Sequence, residues 1–270
     1  MQRRFFAGAP ACRARKRSFL QRLLPRAAAS LALLATGAGA AGLQVAPVLV
    51  EFASGETSQV LRLFNSSTSP LRAQVRVQAW AQSEGVEQLQ PTRDIVASPP
   101  ILELAAGRTQ LVRLVRLQAA VPAGEKSYRL LIDELPPEAA PGRQGVQFLL
   151  QHSVPLFVLP AGVKPAIEQR GKPREAAELE VQMSPAGETV QLAIRNRSAQ
   201  RVRLSELSYV GPDGRPDVLE PGLLGYVLAG QQMRWSVQLA PARLSSGGSF
   251  RARLNDDPEP TALPLVSASR

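Results

Sequence analysis

Few residues in this chain of 270 amino acids could carry chemistry. It has one histidine, His152, and one cysteine, Cys12. A zinc centre needs about three or four nitrogen, sulfur or oxygen ligands, and His152 has no neighbour at ligand spacing. A Ser-His-Asp triad would have to use the same histidine, but no G-x-S-x-G turn precedes it. No G-x-x-x-x-G-K-[ST] loop is present to cradle a phosphate. Asp133-Glu134 and Asp256-Asp257 are adjacent acids, a pattern typical of solvated loops rather than of a general acid–base pair. These residues call for no enzyme activity, no cofactor and no metal.

The formal charge of +10 suggests a nucleic-acid binder until it is located. Residues 1–40 hold eight basic side chains and no acid, so the rest of the chain carries 10 − 8 = +2. Aromatic residues are only 5% of the chain, and Arg62, Arg72, Arg76, Arg113 and Arg116 sit on the polar phase of alternating runs. No nucleic-acid partner is expected. Residues 1–40 read as a secretory signal: a basic start, the small-apolar run "AAASLALLATGAGA", and Ala38-Gly39-Ala40 as a cleavage site. An uncleaved anchor is the alternative, but the run is too short and too rich in Ala and Gly for a good bilayer span. Removal of this segment takes Cys12 with it, leaving a chain without thiols or disulfides. No stable membrane insertion is expected of the remainder.

What positions any functional side chain must therefore be the elements after residue 41. Period-two runs occupy 44–52, 58–65, 71–80, 109–117, 127–135 and 145–158, with Gly, Pro, Ser and Asn between them. Such runs predict an antiparallel β-sandwich rather than an α/β fold. The stretch 159–177 breaks the pattern with prolines, glycines and charges, and reads as a linker. A second series follows at 177–184, 188–196, 201–210, 231–239 and 249–255, with Asp213-Gly214 suited to a tight hairpin. The expected layout is a signal at 1–40, an all-β domain at 41–160 and a second at 161–270.

One run stands apart. "GVQFLLQHSVPLFVLP" (145–160) alternates and then becomes almost wholly apolar around a proline. An unpaired edge strand is a template for another chain, and Val146, Phe148 and Leu150 would form a row with about 6.6–6.8 Å between successive side chains. The same row could instead pack inside its own sandwich.

The surroundings of that row favour the first reading. "LQVAPVLVEFASGE", "LFNSSTSPLRAQVRVQAW", "SPPILELAAGRTQLVRL", "GEKSYRLLIDELPP" and "VQFLLQHSVPLFVLP", in this order, resemble the PapD-like periplasmic chaperones of chaperone–usher pilus assembly. The resemblance spans about residues 43–266. It implies two immunoglobulin-like β-sandwich domains in an L or boomerang arrangement. It also implies a donor strand that lends Val146, Phe148, Leu150 and Val154 to a pilus or fimbrial subunit with an incomplete immunoglobulin fold. An outer-membrane usher would be the second partner and the periplasm the location. Arg113, Glu125 and Asp256 match the family's interdomain salt bridge. Leu49 and Pro155 stand where well-studied members bind the subunit's terminal carboxylate with basic residues, so Arg116 and Arg129 become the substitute candidates. These departures resemble a divergent branch near the archaic or alternative pilus systems. An exported immunoglobulin-like structural or adhesin subunit is the rival reading. It would need an incomplete domain and an N-terminal donor extension, and neither pattern is present in the sequence.

Overall fold

Alternation decides which face of each strand is buried. The computed structural model describes residues 42–136, 148–169, 178–245 and 247–265. In β3 (Ser58–Asn65), Leu61 and Leu63 are fully buried while Val60 and Arg62 are exposed. In β4 (Leu71–Ser83), Ala73, Val75 and Val77 are buried and Arg76 is exposed. Two sheets pack these faces together. One has the order β1-β3-β8-β6, with β1 at Leu43–Ala46, β6 at Ile95–Ser98 and β8 at Thr109–Arg116. The other runs β2-β10-β9-β4-β5, with β2 at Val50–Phe52, β5 at Val86–Pro91, β9 at Lys126–Leu135 and β10 at Gln151–Val158. β7 (Ile101–Leu104) also pairs with β4. The enclosed core includes Phe52, Leu114, Leu130, Ile132 and Leu156, all essentially inaccessible.

A second sandwich encloses its own core around Leu192, Ile194, Leu204, Tyr209 and Phe250. Its sheets run β11-β12-β15 and β14-β13-β16-β17. The strands are β11 (Leu179–Ala186), β12 (Thr189–Asn196), β13 (Val202–Val210), β14 (Pro216–Val227), β15 (Gln232–Val237), β16 (Ser249–Leu254) and β17 (Thr261–Ala262). The fold is thus all-β with two immunoglobulin-like sandwiches, as the periodicity and the resemblance imply. β13 and β14 form the hairpin expected around Asp213-Gly214, and Gly214 takes a positive φ of 73° in its turn. β14 is not visible as a run, because Pro221, Gly222 and Gly225 interrupt its alternation.

The two sandwiches share one device. Asn65 and Asn196, both fully buried, end β3 and β12. Asn65 Nδ2 donates to the carbonyls of Ser69 and Leu104, while its Oδ1 accepts from the backbone N–H and hydroxyl of Ser67. Asn196 repeats this with Gln200, Val227 and Ser198. A buried amide that uses both its ends locks each corner.

All described residues lie in one compact unit, Ala41–Arg270, and the sandwiches meet directly within it. A third apolar cluster forms their seam: Trp80, Phe157 and Leu159 from the first, Tyr226 and Leu228 from the second. Trp80 meets Tyr226 edge-on at 5.6 Å between ring centroids. Trp80 and Phe157 lie on the polar phase of their strands, so their burial comes from the second sandwich rather than the first.

Candidate functional site

β10 changes character along its length. Val154, Leu156 and Val158 face the first core. Phe148, Leu149 and Leu150 precede the strand and are exposed, Phe148 by 84% and the leucines by about half. Of the expected donor row, Phe148 and Leu150 are therefore accessible. Val154 is not: it is 5% exposed and sealed in its own sandwich, because the strand has by then entered the space between the two sheets. Val146 lies outside the described residues. The regular strand begins at Gln151 rather than 145.

The backbone of β10 is as informative as its side chains. β9 pairs with it antiparallel over its whole length, whereas β2 covers only Leu156–Val158, in parallel. Glu134 N–H donates to Leu150 O at 2.9 Å. In an antiparallel ladder alternate residues share such bonds, so His152, Val154 and Leu156 turn their peptide groups to β9. Gln151, Ser153 and Pro155 turn theirs the other way. The bond from Leu159 N–H to Phe52 O (2.9 Å) has the same parity and points at β2. Gln151 and Ser153 thus present N–H and C=O groups to an edge that no described strand covers. Pro155 is accommodated because its missing N–H would also have faced that open edge.

The seam beside this edge is polar as well as aromatic. Gln82 Nε2 donates to Tyr226 O (2.7 Å), Leu228 N–H donates to Gln82 Oε1 (2.9 Å), and Gln82 N–H donates to Gln231 Oε1. Arg234 N–H reaches Gly85 O at 3.2 Å. Arg201 of the second sandwich donates from its backbone and its guanidinium to Glu125 (2.9 and 2.6 Å) and also pairs with Glu51. Its guanidinium lies 3.7 Å over the Phe157 ring. Burial pushes the Glu125 carboxyl up from its ordinary value despite the nearby Arg201 charge.

The expected trio is not assembled. Glu125 does bridge the sandwiches, but its partner is Arg201. Asp256 pairs with Arg203 at 2.7 Å. Arg113 is exposed on the outer face of the first sheet, in register with Val60 and Ser98. Arg201, five residues past the buried Asn196, carries no sequence mark that separates it from surface arginines. Gln82 likewise carries no sequence mark that separates it from a surface glutamine.

The two anchor candidates also separate. Arg116 is buried and spends its guanidinium on Glu56 O and Ala120 O, both at 2.8 Å. Arg129 stands directly across the ladder from Pro155. It stacks 3.7 Å over Trp80 and pairs with Glu87 at 3.2 Å. Leu49 packs against the aromatic seam.

Residues 42–164 match the family described as pili and flagellar-assembly chaperone, PapD N-terminal domain. No curated protein matches the sequence. Among solved structures the fold resembles the CsuC–CsuE chaperone–tip adhesion subunit pre-assembly complex from archaic chaperone-usher Csu pili of Acinetobacter baumannii. That match has 20% identity and a TM-score of 0.61, over 83% of this chain and 98% of that one. It also resembles the CupB2 chaperone of Pseudomonas aeruginosa, with 20% identity and a TM-score of 0.53, over 81% and 97%. The Salmonella enterica SafA pilin in complex with the SafB chaperone gives 19% and 0.53, over 82% and 94%. Residues 42–164, the first sandwich, thus carry the match to the N-terminal domain of the PapD-like pilus-assembly chaperones.

Proposed function

We propose that this protein is a periplasmic chaperone that binds a pilus or fimbrial subunit lacking one strand, keeps it from aggregating and delivers it to an outer-membrane usher. The observation that carries this reading is the coincidence of two features on one strand. No described strand covers the ladder edge at Gln151 and Ser153, and the apolar side chains of Phe148, Leu149 and Leu150 beside it are exposed. A subunit short of one strand supplies what both features need, backbone pairing and an apolar groove. Each such side chain contributes about 1.5–3 kcal/mol on full burial, before ordering costs. No nucleotide is required, because one strand is exchanged for another. Arg129, across the ladder from Pro155, is the candidate cation for a subunit carboxylate, which would compete with Glu87 for it. Export through cleavage near Ala40 completes the reading.

The test is capture from native periplasm. The wild-type protein should bring down a subunit, and Phe148→Asp should release it while leaving the fold intact. Equal capture by both proteins would overturn donation by this segment. Recovery of the chain itself in surface fibres would favour the structural-subunit alternative.

A further inference from the structure

The donor segment needs a reason to stay extended where the sheet ends. At that corner two backbone donors have no ladder partner among the described residues: Leu43 N–H, at the start of β1, and Leu150 N–H, just before β10. One side chain meets both. Glu134 accepts from Leu43 N–H through Oε1 (3.1 Å) and from Leu150 N–H through Oε2 (3.4 Å). Its own N–H donates to Leu150 O (2.9 Å). Leu150 is therefore held at both its N–H and its C=O by one residue. In a regular antiparallel pair the carbonyl of Glu134 would take the Leu150 N–H; here the carboxylate does, at the point where the segment leaves β9. The β1 side of the corner is pinned independently. Gly42 N–H donates to Ser66 Oγ (3.1 Å), and the Ser66 hydroxyl donates to Gly42 O (2.8 Å). A Cβ on Gly42 would lie 3.8 Å from Leu150 Cδ1 and 3.9 Å from Glu134 Oε1, so the three residues are in packing contact.

We propose that Glu134 is a positioning residue for subunit binding. Its carboxylate fixes the point at which β10 stops pairing with its own sandwich, and it ties that point to the first strand of the domain. Phe148 and Leu149 are then presented in a defined register instead of collapsing onto the sheet. A carboxylate suits this role better than an amide. It accepts at both oxygens, whereas glutamine would set an N–H against one of the two donors.

This inference rests on the donor-strand reading, and the experiment separates the two. Amide exchange is followed by NMR on the folded protein, in wild type, Glu134→Gln and Glu134→Ala, with subunit capture measured beside it. The expected result is roughly tenfold faster exchange at Leu43 or Leu150 in Glu134→Gln, and at both in Glu134→Ala, since bonds to a charged acceptor are among the stronger ones. Exchange at Leu192 in the second core should stay unchanged, and capture should fall about tenfold. Unchanged exchange at Leu150 in both variants overturns the clamp. Faster exchange with undiminished capture, while Phe148→Asp still abolishes capture, overturns the positioning role and leaves the donor strand standing. Undiminished capture by Phe148→Asp overturns the donor strand and the positioning role together.

Discussion

Glu125 shows how one residue can be recognised from sequence while its partner is not. Its place before "KSYRLLIDELPP" marked it as an interdomain group, and the structure puts it between the sandwiches. Its counter-charge comes from Arg201, 76 positions away, and no local pattern announces contact over that separation. The pair has a consequence for pH. Burial is the largest influence on Glu125 and raises its pKa above the ordinary 4.5; attraction to Arg201 opposes the rise without cancelling it. The folded protein therefore holds this proton to higher pH than the unfolded chain does. The resulting stabilisation is complete below about 4.5 and is lost as pH rises through the folded value. Glu125→Gln cannot titrate. The difference in melting temperature between wild type and Glu125→Gln should move in the variant's favour as pH rises from about 4.5 toward neutrality. A difference that stays constant from pH 4 to 8 would mean that burial does not govern this carboxyl.

At the scale of the strand, β10 joins two environments that alternation alone cannot distinguish. Phe148, Leu150, Val154 and Leu156 share one phase of the pattern, yet the first two are exposed and the last two are core. Two substitutions on this strand should behave oppositely. Leu156→Ala should lower unfolding free energy by about 2–5 kcal/mol, the range for truncating a buried leucine. Phe148→Asp should change it by no more than about 0.5 kcal/mol, as for an exposed position, and lose subunit capture. Denaturant titration of both variants decides; a large loss of stability in Phe148→Asp would place that ring in the fold rather than at the partner. The same limit explains what else was legible. Runs such as 58–65 and 188–196 declare strands because a buried face enforces their alternation. β5, β6, β7 and β14 do not: they are short, or interrupted by Pro and Gly, and owe their strand character to neighbours that bind them. Where the open edge begins depends on how far β2 extends along β10, which is a property of the assembled sheet.

For the whole molecule, the donor edge and the seam are joined by one strand, because β10 carries the uncovered Gln151 and Ser153 at one end and the seam residue Phe157 at the other. Phe157 lies two residues past Pro155 on β10, packs on Trp80 and Tyr226, and carries Arg201 over its ring. A subunit seated on the open edge would therefore meet the second sandwich at a position that the seam determines. Gln82 holds one part of the polar side of that seam, donating to Tyr226 O and accepting from Leu228 N–H in a buried setting. Gln82→Ala leaves both groups without a partner, at a cost of about 1–3 kcal/mol for each buried group, yet removes no contact within either core. The two sandwiches should then unfold less cooperatively. Calorimetry should resolve two transitions where the wild type has one, and solution scattering should report a wider distribution of interdomain distances. Subunit capture should weaken even though Phe148, Leu150 and the open edge at Gln151 and Ser153 are untouched. If Gln82→Ala keeps a single transition and full capture, the aromatic cluster and the Arg201–Glu125 contact suffice to set the geometry, and the seam's polar side is not what presents the strand.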